Sequence, residues 1–147
     1  MKSDVSEMKQ LQVTSKFRSL SKEIAQWTKF LSIVGFIFVA LLLVIGIFAS
    51  SLYGQMFNEV APDFPVDMGL LMSAVYLLFA VIYFFPILFL YKFSRNLKLA
   101  LKSRDDADLE RAMEMLKSHY KYIGVLTIIT LSLYALAIIA GMLGVFI

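Results

Sequence analysis

Three stretches of the chain hold no charged residue: Phe30 to Leu52, Met68 to Tyr91 and Tyr122 to Ile147, of 23, 24 and 26 residues. At about 1.5 Å of rise per residue, each is an α-helix of roughly 34–39 Å, enough to cross a hydrocarbon layer of about 30 Å. None has the polar face that a helix of that length needs in a soluble protein. Between and before them the pattern changes to stripes. Phe17, Leu20, Ile24 and Trp27 recur at spacings of three and four, with Lys16, Arg18, Lys22 and Glu23 off the line, which predicts an amphipathic helix leading into the first span. Phe93, Leu97, Ala100 and Leu101 continue a stripe past the second span. Leu109, Ala112, Met113, Leu116 and Tyr120 lead into the third.

The expected architecture is all-α: a polytopic membrane protein with three transmembrane helices and an N-terminal amphipathic helix. The second and third helices form a long hairpin projecting into the cytoplasm. A single domain divides into an amphipathic arm (1–29), a first span (30–52), an outer loop (53–67), a second span (68–91), a helical hairpin (92–121) and a third span (122–147). Asp67 is the expected N-cap of the second helix, and Ser103-x-x-Asp106 fits a capping box for the third. The stripe around Leu20 is expected to pack on the hairpin, with a position on the inner leaflet as the alternative.

Composition agrees: 60% of residues are hydrophobic and 17% charged, against about 45–50% and 25% in soluble domains. The absence of Cys excludes disulfides, thiolate metal sites and palmitoylation. The first apolar block is too long for a signal peptide and follows 29 residues of charged sequence, so it is read as retained.

Charge sets the expected orientation. All 14 Lys and Arg lie in 1–29 or 92–121, whereas 53–67 carries no base and the acids Glu59, Asp63 and Asp67. Basic flanks stay inside. The N-terminus and hairpin are therefore placed in the cytoplasm, with the C-terminus outside, at the outer headgroups.

Few residues carry chemistry. No catalytic, cofactor-binding or metal site is identified. Asp105, Asp106, Asp108 and Glu110 read as helix-capping acids rather than cation ligands. His119 reads as a structural residue at the membrane surface, because a proton relay would need buried acids. Pro86 removes the N–H that would bond the Ile82 carbonyl and marks a kink, and Trp27 is an interfacial anchor. The third helix places small residues at Ala137-x3-Gly141 and Ala140-x3-Gly144, and the first at Gly46-x3-Ser50. Such spacing lets helix backbones approach closely in lipid.

The run Tyr83-Phe-Phe-Pro86, then Leu90-Tyr-Lys-Phe-Ser94 and Lys98-Leu-Ala-Leu101, an acidic turn, and Leu116-Lys-Ser-His-Tyr-Lys-Tyr-Ile-Gly124 resembles a family of small bacterial membrane proteins known only as a domain of unknown function. Trp27 to Gly35 resembles the start of its first helix. The likeness runs from about Ser15 to Ile139 and implies a bacterial inner-membrane protein, Gram-negative in origin, with no assigned activity.

Two functions compete. One is a non-enzymatic scaffold, assembly or accessory subunit, with the bilayer, a second copy or a larger membrane complex as its partners, and no nucleic acid or small-molecule substrate. The other is an oligomeric channel or transporter with an uncharged lining drawn from Ser32, Ser50, Ser51, Ser73, Tyr76, Thr127, Thr130, Ser132 and Tyr134.

Overall fold

The computed structural model describes residues 14–61, 63 and 65–144. The expectations for 1–13, Pro62, Phe64 and 145–147 lie outside them. Three helices account for nearly all of the chain: α1 (Ser15–Val60), α2 (Met68–Ser103) and α3 (Asp106–Met142). All three are long and apolar enough to cross a membrane. At 46, 36 and 37 residues they are roughly 69, 54 and 56 Å long, well beyond the hydrocarbon thickness.

Each boundary has a local cause. The Thr14 hydroxyl accepts from the Phe17 amide at 3.2 Å and starts α1. The helix does not stop at Leu52 as expected but runs to Val60, so the connection is Ala61–Asp67 rather than 53–67. Between Leu52 and Val60 only Gly54 disfavours helix, at a cost of about 1 kcal/mol. Termination waits for Ala61, which precedes Pro62 and has left the α region (φ −146°, ψ 69°). Asp67 caps α2 through its Oδ1, 3.0 Å from the Leu70 amide. Arg104, in the left-handed region at φ 57°, ends α2. The cap of α3 is Asp105, whose Oδ1 accepts from the Ala107 amide at 3.0 Å. Ser103 is therefore not the cap. It is the last residue of α2, and its hydroxyl bonds the Leu99 carbonyl and the Asp108 carboxylate.

The third helix ends early. Gly144 sits at φ 67°, two residues beyond the last helical residue, Met142. A glycine in this conformation closes a helix rather than extending one. The expected pair Ala140-x3-Gly144 is thus not a helical face, and Ala137-x3-Gly141 is what remains of that pattern.

α2 is the centre of the fold. It packs on α1 along one side and on α3 along another, and α1 and α3 have no backbone-level contact among the described residues. The α1–α2 seam is made of small residues. On α1, Ser21, Ala25, Thr28, Ser32, Val39, Gly46 and Ala49 are buried, spaced so that Gly35 and Leu42 complete an alternation of four and three. This is the 3.5-residue repeat of a left-handed helix pair. α2 answers with Gly69, Ser73, Tyr76, Ala80, Ile87, Ser94 and Leu97, running antiparallel. The apolar stripe Phe17, Leu20, Ile24 and Trp27, expected to pack on the hairpin, is instead 44%, 50%, 52% and 64% exposed, with Phe17 at the edge of a hollow it shares with Leu101 and Leu109. The arm does pack on α2, but through Ser21 and Ala25. Small side chains bring the backbones close enough for the Ser94 hydroxyl to reach the Ala25 carbonyl at 2.6 Å.

Candidate functional site: an open cleft beside a proline pin

The α2–α3 contact has two parts of different character. At the basic end, Ala112 is fully buried against Ala25, Phe93 and Leu97, with Leu101, Leu109, Met115 and Leu116 around them. At mid-helix stands Pro86, itself buried. Its ring removes one helical hydrogen bond and leaves the Ile82 carbonyl free. That oxygen accepts from the Tyr122 hydroxyl at 3.0 Å. One turn further on, the Pro86 carbonyl accepts from His119 Nδ1 at 2.8 Å. Backbone polar groups at membrane depth must find partners, and here α3 supplies them. α2 continues as one helix through Pro86. The Tyr122 ring is also clasped by Phe85 and Phe89, at centroid distances of 6.1 and 6.4 Å. His119 is thus a second donor in the pin that holds α3 on α2.

Beyond Tyr122 the two helices part. A cleft of 910 Å³ opens between them, lined among others by Phe79, Ile82, Leu126, Thr130 and Ala137. From Ile123 to Gly144, only Leu126 and Ala140 are even half-buried. The face of α3 that carries Leu126 and Thr130 also carries Ala137 and, one turn on, Gly141. A Cβ built on Gly141 has no atom within 4 Å. The other glycine singled out from the sequence, Gly46, is in the opposite situation. A Cβ there meets Leu77 Cδ2 at 3.0 Å and Tyr76 Cβ at 3.3 Å, and its carbonyl accepts from the Ser73 hydroxyl at 2.6 Å. Gly46 belongs to the internal seam, whereas Ala137 and Gly141 border open space. Trp27 is exposed at the other end of the molecule, touching Phe30 edge-on at 6.1 Å.

Several hydroxyls considered for a pore lining are already engaged. Ser32 is fully buried and donates to the Thr28 carbonyl, Ser73 donates to Gly46, and Tyr76 stacks on Tyr53 with their hydroxyls 3.4 Å apart. Thr127 and Ser132, on α3, bond carbonyls of their own helix. The acids at the start of α3 do not converge on one point: Asp105 caps the helix, and Asp108 faces Ser103 and Arg111, the latter at 3.7 Å. No group of three potential metal ligands occurs among the described residues.

Three apolar helices, joined by connections of seven and two residues and each long enough to span a bilayer, define a multi-pass helical membrane protein. More specifically, the chain belongs to a family of unknown function, DUF5362, whose profile matches residues 68–142, just over half of the sequence. The match covers α2, the proline pin and all of α3. No curated protein and no solved structure matches the chain.

Proposed function

We propose that this protein is a non-enzymatic subunit of the bacterial inner membrane that acts through helix–helix contacts, with a second copy as its first partner and a larger membrane complex as the alternative. The observation that carries this reading is the open cleft at the outer half of α3. Ala137 and Gly141 face space that none of the described residues fills, and a small-residue face is where another helix approaches closely in lipid. A second uncovered surface supports it. Phe17, Leu20 and Ile24 lie ten, seven and three residues before Trp27, about 15, 10 and 5 Å beyond the membrane surface that Trp27 marks. Lipid would not cover Phe17 and Leu20 there, and a partner helix would.

The orientation proposed has the N-terminus and the α2–α3 connection in the cytoplasm and the C-terminus in the periplasm, following the basic residues. Reporter fusions are expected to be cytoplasmic at Asp106 and periplasmic at Pro62 and after Ile147. A periplasmic signal at Asp106 would sink that assignment. The channel reading has less support, because Ser32, Ser73 and Tyr76 are engaged inside the α1–α2 seam.

Leucine at Gly141 tests the contact. It adds four heavy atoms where the protomer has room, so the thermal stability of the monomer should change by less than about 0.5 kcal/mol. Overpacking of an interface costs about 1–3 kcal/mol, so oligomers seen in mild detergent should be lost. A variant that keeps the wild-type distribution of species would remove the main support for the reading.

A further inference from the structure

The basic end of the α1–α2 pair carries a cleft that the helix contacts above do not use. It holds 240 Å³ and is lined by Lys29 of α1 and by Tyr91, Ser94, Arg95, Lys98 and Lys102 of α2. A larger hollow of 730 Å³, further along the same side of the seam, adds Arg18 and Lys22, with Lys98 and Lys102 shared between the two. Neither is lined by an acid. Among the described residues, the one ion pair is Arg111 with Asp108, at the far tip of the hairpin. The cations of the smaller cleft therefore face one another without a carboxylate.

Three of them, Arg95, Lys98 and Lys102, recur along one side of α2 at spacings of three and four, where like charges repel. The antiparallel seam then brings Lys29 alongside, and Lys98 is half-buried between the helices. A concentration of positive charge around the half-buried Lys98 is matched by an anion with several acceptor oxygens. The volume of the smaller cleft is below the roughly 300–1,000 Å³ of a pocket for drug-sized molecules, the size of one compact group. Depth narrows the choice further. Trp27 and Tyr91 are aromatic residues of the kind that sit at headgroup level. Arg95 and Lys98 lie four and seven residues past Tyr91, about 6 and 10 Å along the helix. The headgroup layer is itself about 5–8 Å deep on each side. The Lys29 and Arg95 end of the cleft thus opens where lipid phosphates are, with Lys98 just beyond.

We propose that the cleft formed by Lys29, Tyr91, Arg95 and Lys98 binds a phosphate group, supplied by the headgroup of an anionic phospholipid. The three cations contact the phosphate oxygens while the acyl chains run up the exposed apolar surface of α1 and α2. This site is independent of any contact made by α3.

Thermal unfolding of the full chain in a neutral detergent tests it, with added phosphatidylglycerol, phosphatidylcholine or inorganic phosphate. Phosphatidylglycerol is expected to raise Tm by about 5 °C at saturating concentration, and phosphatidylcholine, which has no net charge, to have little effect. The triple variant Lys29→Gln, Arg95→Gln, Lys98→Gln should lose that shift. A control removing the same charge from α3 and the α2–α3 turn, Arg104→Gln, Arg111→Gln, Lys117→Gln, should keep it. Circular dichroism of both variants confirms that they are helical. An equal shift with inorganic phosphate, lost in the same triple variant, would uphold the phosphate site and overturn its lipid source. The proposal is overturned if phosphatidylglycerol leaves the wild type unchanged or shifts both triple variants alike.

Discussion

Alanine at Gly69 is expected to destabilise the protein by about 3 kcal/mol, at the top of the range for overpacking a tight contact. Gly69 lies in the first turn of α2, against α1. The added methyl would fall on the Ser50 carbonyl oxygen and lie 2.9 Å from the Gly54 amide nitrogen. Both are backbone atoms of a helix, so neither can swing aside as a side-chain end would. Relief requires the two helices to separate, which weakens every contact near that end of the seam, including the Ser73 bond to Gly46. Thermal or denaturant unfolding in detergent measures the effect, and a fall of about 6–12 °C in Tm corresponds to it. Gly124 provides the internal control. Its added Cβ meets nothing within 4 Å, so Gly124→Ala should be neutral or stabilising by up to about 1 kcal/mol through helix propensity. Equal responses at the two glycines would mean that the α1–α2 seam is not as close as described.

Leucine at Ala25 is the second large effect, expected at about 2–3 kcal/mol. Ala25 is wholly buried where Phe93, Leu97 and Ala112 meet, and its carbonyl receives the Ser94 hydroxyl. Three extra heavy atoms there push α1 off α2 and disturb the place where all three helices meet. Five residues earlier, Leu20 is half exposed, and Leu20→Gln should change protomer stability by less than about 0.5 kcal/mol. The pair distinguishes which face of the arm holds the fold. A large cost at Leu20 and a small one at Ala25 would reverse the assignment.

The contrast between these two residues also shows where sequence reading worked and where it stopped. Three uncharged runs of more than 20 residues announce three helices in any context, because length alone matches a bilayer. Asp67 was readable as a cap because its position before Met68 follows a proline-rich stretch. The contact face of α1 was missed for a physical reason. In water a helix buries its largest apolar side chains, so Phe17, Leu20 and Ile24 stand out as the candidate core. In the membrane-spanning part of α1 that preference carries no driving force and close approach favours Ser, Ala, Thr and Gly, and the same small-residue seam continues unbroken into the arm through Ala25 and Ser21. The signal was present: Ser21, Ala25, Thr28, Ser32 and Gly35 keep a 3.5-residue beat that continues through Gly46 and Ala49. Searching for small residues at that period would have found it.

The proline pin was half legible. Pro86 identifies Ile82 as the carbonyl left free, but nothing local says which donor 40 residues away will satisfy it. Only the antiparallel register of α2 and α3 brings Tyr122 to Ile82 and His119 to Pro86. The outer loop and Gly144 failed for a simpler reason, that helix ends follow the strongest breaker nearby rather than the edge of the apolar run. Pro62 lies later than that edge, and Gly144 lies before the chain's last apolar residues.

The small-residue face of α3 is best tested in the native membrane by cysteine crosslinking, since the chain has no cysteine of its own. Single cysteines at Ala137, on the cleft, and Gly141, one turn on, look into open space, while cysteines at Ala135 and Ile139 lie roughly 120–160° around the helix from them. With a short bifunctional maleimide, the first two positions should give a discrete crosslinked species of twice the monomer mass, and the second two little or none. Absence of any adduct at Ala137 and Gly141, or equal adducts at all four positions, would contradict the claim that this face is where a second copy docks.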